Sequence, residues 1–188
     1  MTGLLADLWA FVLWVDYQVV DLVLALRRPL LTKLMTSVTG LGSATAALAF
    51  LCVCYLADWT DELRSAGVAL ALTGAVVGTL MMTVERPFPP AAVCMTSGAE
   101  TVASSFPSGH AAAVTVYAMT ARRSSELPFG PVAVLAAAIA ASRVYLGTHF
   151  FSDTVVGVLI GVAAFAAAVH VRTRFDLDAL LARAADRR

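Results

Sequence analysis

Of 188 residues only Lys33 is a lysine, three are cysteines, three are histidines, and charged residues of both signs make up 14% of the chain. Soluble domains carry about 25% charged residues, so the usual solvated surface is missing. Thirteen basic residues balance thirteen acidic ones and neither sign forms a block. This argues against a nucleic-acid-binding arm and a polybasic lipid clamp, both of which need concentrated charge. Cys52 and Cys54 lie in an apolar run and Cys94 in a polar connection. They lack the C-x-x-C spacing of a redox pair or zinc site, and read as packing residues. No basic residue precedes Arg27 and no small-residue cleavage signal follows the first apolar stretch, so the N-terminus is expected to be retained.

What is abundant is apolar length: 60% of the residues are hydrophobic and the mean hydropathy is +0.82. A bilayer-spanning helix takes about 20 residues, which leaves room for about five or six spans and no separate soluble domain. The expected fold is an all-α polytopic membrane bundle, one domain over residues 1–188, with clear transmembrane helices near 37–57, 66–84, 108–121, 131–143 and 150–171. Residues 4–26 are apolar but interrupted by Asp7, Asp16, Gln18 and Asp21. At 100° per residue Asp7, Gln18 and Asp21 share one side, which predicts an interfacial amphipathic helix within an N-terminal region 1–33, with a sixth span as the alternative. Arg27-Arg28-Pro29 closes that helix, because the residue before proline avoids helical geometry. Gly67, Gly74 and Gly78, and the GxxxG pair Gly157/Gly161, are spaced to let helix backbones approach closely within the chain.

Alternating the spans across a bilayer puts Arg64, Arg122, Arg123, Arg172, Arg174, Arg183, Arg187 and Arg188 on one side. By the positive-inside rule that side is cytoplasmic and so is the C-terminal tail, residues 172–188. The other side collects Glu85-Arg86-Pro87, Pro107-Ser108-Gly109-His110, and Ser142-Arg143 with His149 and Asp153. Topology alone thus gathers two arginines, two histidines and an aspartate at one membrane face. Ionisable residues at span ends are costly against lipid, so their concentration marks a site.

The residue types fit phosphate chemistry. His110 follows Pro-Ser-Gly at a helix start, where unpaired N–H groups and the positive dipole end favour an anion. Asp153 stands four residues after His149 on the same helical face, where its carboxylate can take the imidazole N–H and leave the other nitrogen nucleophilic. Arg86 and Arg143 offer planar forks for phosphate oxygens.

These residues resemble the type 2 phosphatidic acid phosphatase superfamily of membrane lipid phosphatases, with motifs K-x6-R-P, P-S-G-H and S-R-x5-H-x3-D. The second is complete as Pro107-Ser108-Gly109-His110 and the third as Ser142-Arg143…His149…Asp153. The first keeps Arg86-Pro87, but the phosphate-binding lysine is replaced by Thr79. The resemblance implies a phosphohistidine intermediate with no cofactor and no required metal: His149 attacks phosphorus, Asp153 orients it, and His110 protonates the leaving oxygen. Arg86, Arg143, Ser108 and the Gly109 N–H would bind the phosphate. The expected protein is a cell-membrane phosphatase with its site on the non-cytoplasmic face, acting on a phosphatidic acid-like or polyprenyl (di)phosphate lipid. A lipid phosphotransferase using the same histidine, and a non-catalytic membrane anion-binding protein, are the alternatives.

Overall fold

The computed structural model describes residues 2–93 and 104–175; Cys94 and residues 176–188 of the expected tail lie outside the described residues. Within them every regular element is a helix: α1 (Thr2–Leu26), α2 (Pro29–Thr39), a 3-10 turn (Gly40–Gly42), α3 (Ala44–Leu56), α4 (Thr60–Thr83), α5 (Gly109–Arg123), α6 (Phe129–Tyr145) and α7 (Phe151–Phe175). Three helical stretches, Gly3–Leu26, Thr60–Thr83 and Phe151–Arg174, are long and apolar enough to cross a membrane, and α2 with α3 makes a fourth if that bent pair is one span.

The span expected at residues 37–57 is replaced by this pair, which begins at Pro29 and bends by 59°. Proline suits the first position of a helix, so Pro29 ends α1 and starts α2. The break comes at Gly40-Leu41-Gly42-Ser43, where the extended Ser43 caps α3 by accepting from the Ala46 N–H at 3.2 Å. α5 and α6, at 15 and 17 residues, are also shorter than a full span. In α1 Asp7, Gln18 and Asp21 are exposed along with most of the helix, including Leu4, Trp9 and Trp14, but Asp16 is buried.

α5 is the hub, packed against α4, α6 and α7. Ala66 and Ala69 of α4, Val116 of α5, and Phe165 and Ala168 of α7 form one buried cluster; Val114, Ala136 and Ile139 form another between α5 and α6. Small residues dominate because, without a hydrophobic force between helices in lipid, close van der Waals contact holds them together. Gly157 and Gly161 show this directly: a Cβ on either would come within 3.0 Å of α5, meeting the carbonyl oxygens of Ser108 and Ala112. The expected GxxxG contact is therefore the α5–α7 seam. Gly67, Gly74 and Gly78 form no such seam, since a Cβ there would meet nothing within 4 Å. At the far end Arg172 of α7 holds Asp61 of α4 at 2.9 Å. Buried Cys54 packs as expected, whereas Cys52 is exposed.

Candidate active site

The C-terminal end of α4, the N-terminus of α5, the C-terminus of α6 and the N-terminus of α7 meet at one end of the bundle. Backbone bonds tie them: Ser105 N–H to the Arg86 carbonyl at 2.9 Å, Ser108 N–H to the Asp153 carbonyl at 3.1 Å, and His149 N–H to the Arg143 carbonyl at 3.3 Å. The three polar clusters that the sequence gathered by topology are thus in contact through the main chain.

His149 stands in the turn between α6 and α7. The turn needs Gly147, whose φ of +68° is left-handed and where a Cβ would come within 2.9 Å of the Arg27 guanidinium. The His149 ring is buried, and its Nδ1 is bonded to the Ser105 carbonyl oxygen. A carbonyl only accepts, so the hydrogen is on Nδ1 and Nε2 carries the lone pair. Burial pushes the His149 pKa down to about 3, helped by the charge of Arg143 and by His110, and opposed by the Ser105 bond. The imidazole is neutral at ordinary pH.

Arg143, in the last turn of α6, donates from Nη1 to Thr39 Oγ1 at 2.9 Å, while its buried Nε–H has no partner among the described residues. An unpaired buried donor of a permanent cation is a place for an anion to complete. His110 is the second residue of α5 and packs under the α2–α3 bend. A Cβ on Gly42 would press on its ring at 3.0 Å, so the bend and its glycine make room for this imidazole. Fully buried Ser108 caps α5 by accepting from the Ala111 N–H at 3.4 Å. Gly109 follows as the first residue of the helix, where backbone N–H groups lack helical acceptors.

Asp153 departs from expectation. Its Oδ2 accepts from the Phe150 N–H at 2.8 Å and its Oδ1 from Arg86, and the Nδ1 position of His149 is taken by Ser105 instead. Four-residue spacing does put Asp153 in the first turn of α7, but His149 precedes the helix, so the shared face does not extend to it. Arg86 is likewise engaged. Its Nη1 donates to Asp153 and to Ser152 Oγ at 2.8 Å, its Nη2 pairs with Asp16 at 2.6 Å, and the guanidinium lies 4.4 Å over the Phe150 ring. A phosphate approaching Arg86 meets a cation already balanced by two carboxylates, unlike Arg143.

Thr79 is exposed on α4 and donates to the Ala75 carbonyl at 2.8 Å. It lies seven residues before Arg86, but the two do not share a helix face, because α4 ends at Thr83 and Val84 is extended. Among the described residues no group of three His, Cys, Asp or Glu side chains converges as a metal site.

Sequence reasoning missed Ser105, Ser152, Thr39, Gly42 and Asp16. For the first four the sequence carries no signal, since each acts through a contact distant along the chain. Asp16 had one: it falls off the side that Asp7, Gln18 and Asp21 share.

Comparisons with known proteins agree with this architecture. The sequence profile described as "PAP2 superfamily" matches residues 62–176. The solved structure of LpxE from Aquifex aeolicus superposes with a TM-score of 0.70 at 22% identity, covering 82% of this chain and 94% of that one. A transmembrane PAP2-type phosphatidylglycerolphosphate phosphatase from Bacillus subtilis gives 0.72 at 21% identity, covering 90% and 96%. The decaprenylphosphoryl-5-phosphoribose phosphatase of Mycobacterium tuberculosis is 47% identical over 57 residues, 30% of this chain and 31% of that protein's length.

Proposed function

The chain belongs to the PAP2 superfamily, and from that membership we propose that it is an integral membrane phosphatase that removes phosphate from a lipid by way of His149. The observation that carries the reading is the state of that ring: Nδ1 hydrogen-bonded to Ser105 and Nε2 unprotonated, with Arg143 and His110 near enough to act on it electrostatically.

In the proposed reaction Nε2 of His149 attacks phosphorus, the N–P bond forms, and the P–O bond to the lipid breaks. His110 gives its proton to the leaving oxygen, then takes one from the water that hydrolyses the phosphohistidine. Arg143 and the N–H groups of α5's first turn, with Ser108 and Gly109 at their head, hold the equatorial oxygens. Phosphoryl transfer is mostly positioning and charge stabilisation, which this inventory supplies. Asp153 caps α7 and anchors Arg86.

A lipid phosphate monoester is the favoured substrate. The M. tuberculosis relative is named for a phosphorylated polyprenyl lipid, Arg143 at the site has a buried donor to spare, and the lysine position is Thr79. An apolar groove of about 560 Å³ lined by Tyr145, Phe151, Thr154 and Val158 adjoins the α6–α7 turn and suits hydrocarbon. In this reading α5 and α6 join α4, α7 and the α2–α3 pair as five membrane segments, with the site on the non-cytoplasmic face and the C-terminus inside.

The test is phosphate release by the purified protein in detergent with EDTA, from phosphatidic acid, a polyprenyl phosphate and a polyprenyl diphosphate. Release from a monophosphate by wild type, and none by His149→Ala, is expected. Release that persists in His149→Ala removes the mechanism.

A further inference from the structure

Asp16 lies near the middle of α1, outside the matched residues 62–176, and is fully buried. An aspartate inside an apolar helix is expensive and persists where it has partners. Here it has three contacts on two residues, one in α7 and one in the connection after α4. Oδ1 accepts from the Ser152 N–H at 2.8 Å, and Oδ2 accepts from Ser152 Oγ at 2.6 Å and from Arg86 Nη2 at 2.6 Å.

These contacts do two jobs. Ser152 is the second residue of α7, so Asp16 supplies from another helix the acceptor that a helix start lacks, and its negative charge suits the positive end of the dipole. Asp153 does the same for the Phe150 N–H, so two carboxylates cap α7 and Arg86 joins both of them. From Arg86 the path to the reacting ring is short: its carbonyl accepts from the Ser105 N–H, and the Ser105 carbonyl holds Nδ1 of His149.

We propose that Asp16 is a positioning residue for phosphoryl transfer: it docks α1 on the start of α7 and fixes Arg86, and through Arg86 and Ser105 it sets the orientation and tautomer of His149. The proposal rests on the phosphatase reading above. It makes α1 part of the active-site support, and it gives the Arg86 guanidinium a fixed orientation. The phosphate-binding set of Arg143 and the α5 N-terminus is untouched by Asp16, so losing Asp16 affects turnover more than substrate binding.

The test compares kcat and KM of wild type, Asp16→Ala, Asp16→Asn, Arg86→Gln and the Asp16→Ala/Arg86→Gln double variant, on whichever lipid monophosphate wild type hydrolyses. Asp16→Ala is expected to lower kcat about 10–100-fold, the scale of a sub-ångström to ångström misplacement of a reacting group, with KM changed by less than about threefold. In the Arg86→Gln background, where no guanidinium remains to be held, the same substitution should cause a clearly smaller loss, that of the Ser152 contacts alone. Equal losses in both backgrounds, or a wild-type kcat in Asp16→Ala, overturn the proposal. If Asp16→Ala does not fold, Asp16→Asn decides: its amide oxygen still caps Ser152 while the ion pair to Arg86 is gone, and a wild-type kcat there overturns the proposal equally. An inactive wild type ends the phosphatase reading and this proposal together, whereas unaffected Asp16 variants of an active wild type end this proposal alone.

Discussion

The carbonyl oxygen of Ser105 accepts the Nδ1 hydrogen of His149, across 44 residues of sequence. A main-chain acceptor here does what a carboxylate does in a Ser-His-Asp triad, fixing the tautomer and the ring plane. It does so without a full negative charge beside the imidazole, so the His149 ring stays weakly basic and neutral.

A pH consequence follows from that depressed pKa. The folded-state value of about 3 lies below the ordinary 6.5, so between these values the unfolded chain binds a proton that the folded chain does not. His149 therefore contributes its stability in full above about pH 6.5 and loses it as pH falls toward 3. Melting of the detergent-solubilised protein should show a steeper acid decline for wild type than for His149→Gln over this window. Parallel curves would place the His149 pKa near its ordinary value.

His110→Ala should lower turnover by about 10²–10⁴, the usual worth of a positioned general acid. The loss should be smaller on an aryl phosphate with a good leaving group than on a lipid alcohol. Equal losses on both would take His110 out of the acid role.

Gly161→Val should destabilise the fold, because the β-carbon alone comes within 3.0 Å of the Ala112 carbonyl and the Thr115 side chain on α5. Overpacking of this kind costs about 1–3 kcal/mol or more. Gly74→Val, at a site with nothing within 4 Å, is the control. A similar melting temperature for the two would show that α5 and α7 separate without penalty.

Thr79→Lys is expected to leave inhibition by vanadate unchanged. The side chain would leave α4 from an exposed face, and the break at Val84 uncouples it from Arg86. Vanadate binding about tenfold tighter in this variant would show that position 79 reaches the phosphate after all.

Topology is open to impermeant labelling in intact cells, with the native cysteines removed. A cysteine at exposed Glu85, beside the site, should react from outside, and one at exposed Arg123, at the far end of α5, should not. The opposite pattern would place the site in the cytoplasm.

Much of the site was legible because its chemistry is local. Pro107-Ser108-Gly109-His110 caps and opens α5 as that string predicts, since an N-cap serine and a following helix are decided within one turn. The Gly157/Gly161 seam was legible for a similar reason: a four-residue spacing puts both glycines on one helix face. Asp153 was found as a residue but given the wrong partner, because spacing names a face and not the group that occupies it. That Thr79 and Arg86 share no helix face was not legible, because α4 stops four residues after Thr79.

Composition and apolar length determined that the chain is a helical membrane bundle, because a polypeptide this poor in charge and this rich in unbroken apolar segments must satisfy its backbone within helices. Spacing determined which histidines and arginines share one end. The tertiary structure decided which of them touch. Ser105 rather than Asp153 holds His149, and Asp16 from a distant helix holds Arg86, since both bonds join segments whose separation along the chain only packing can close.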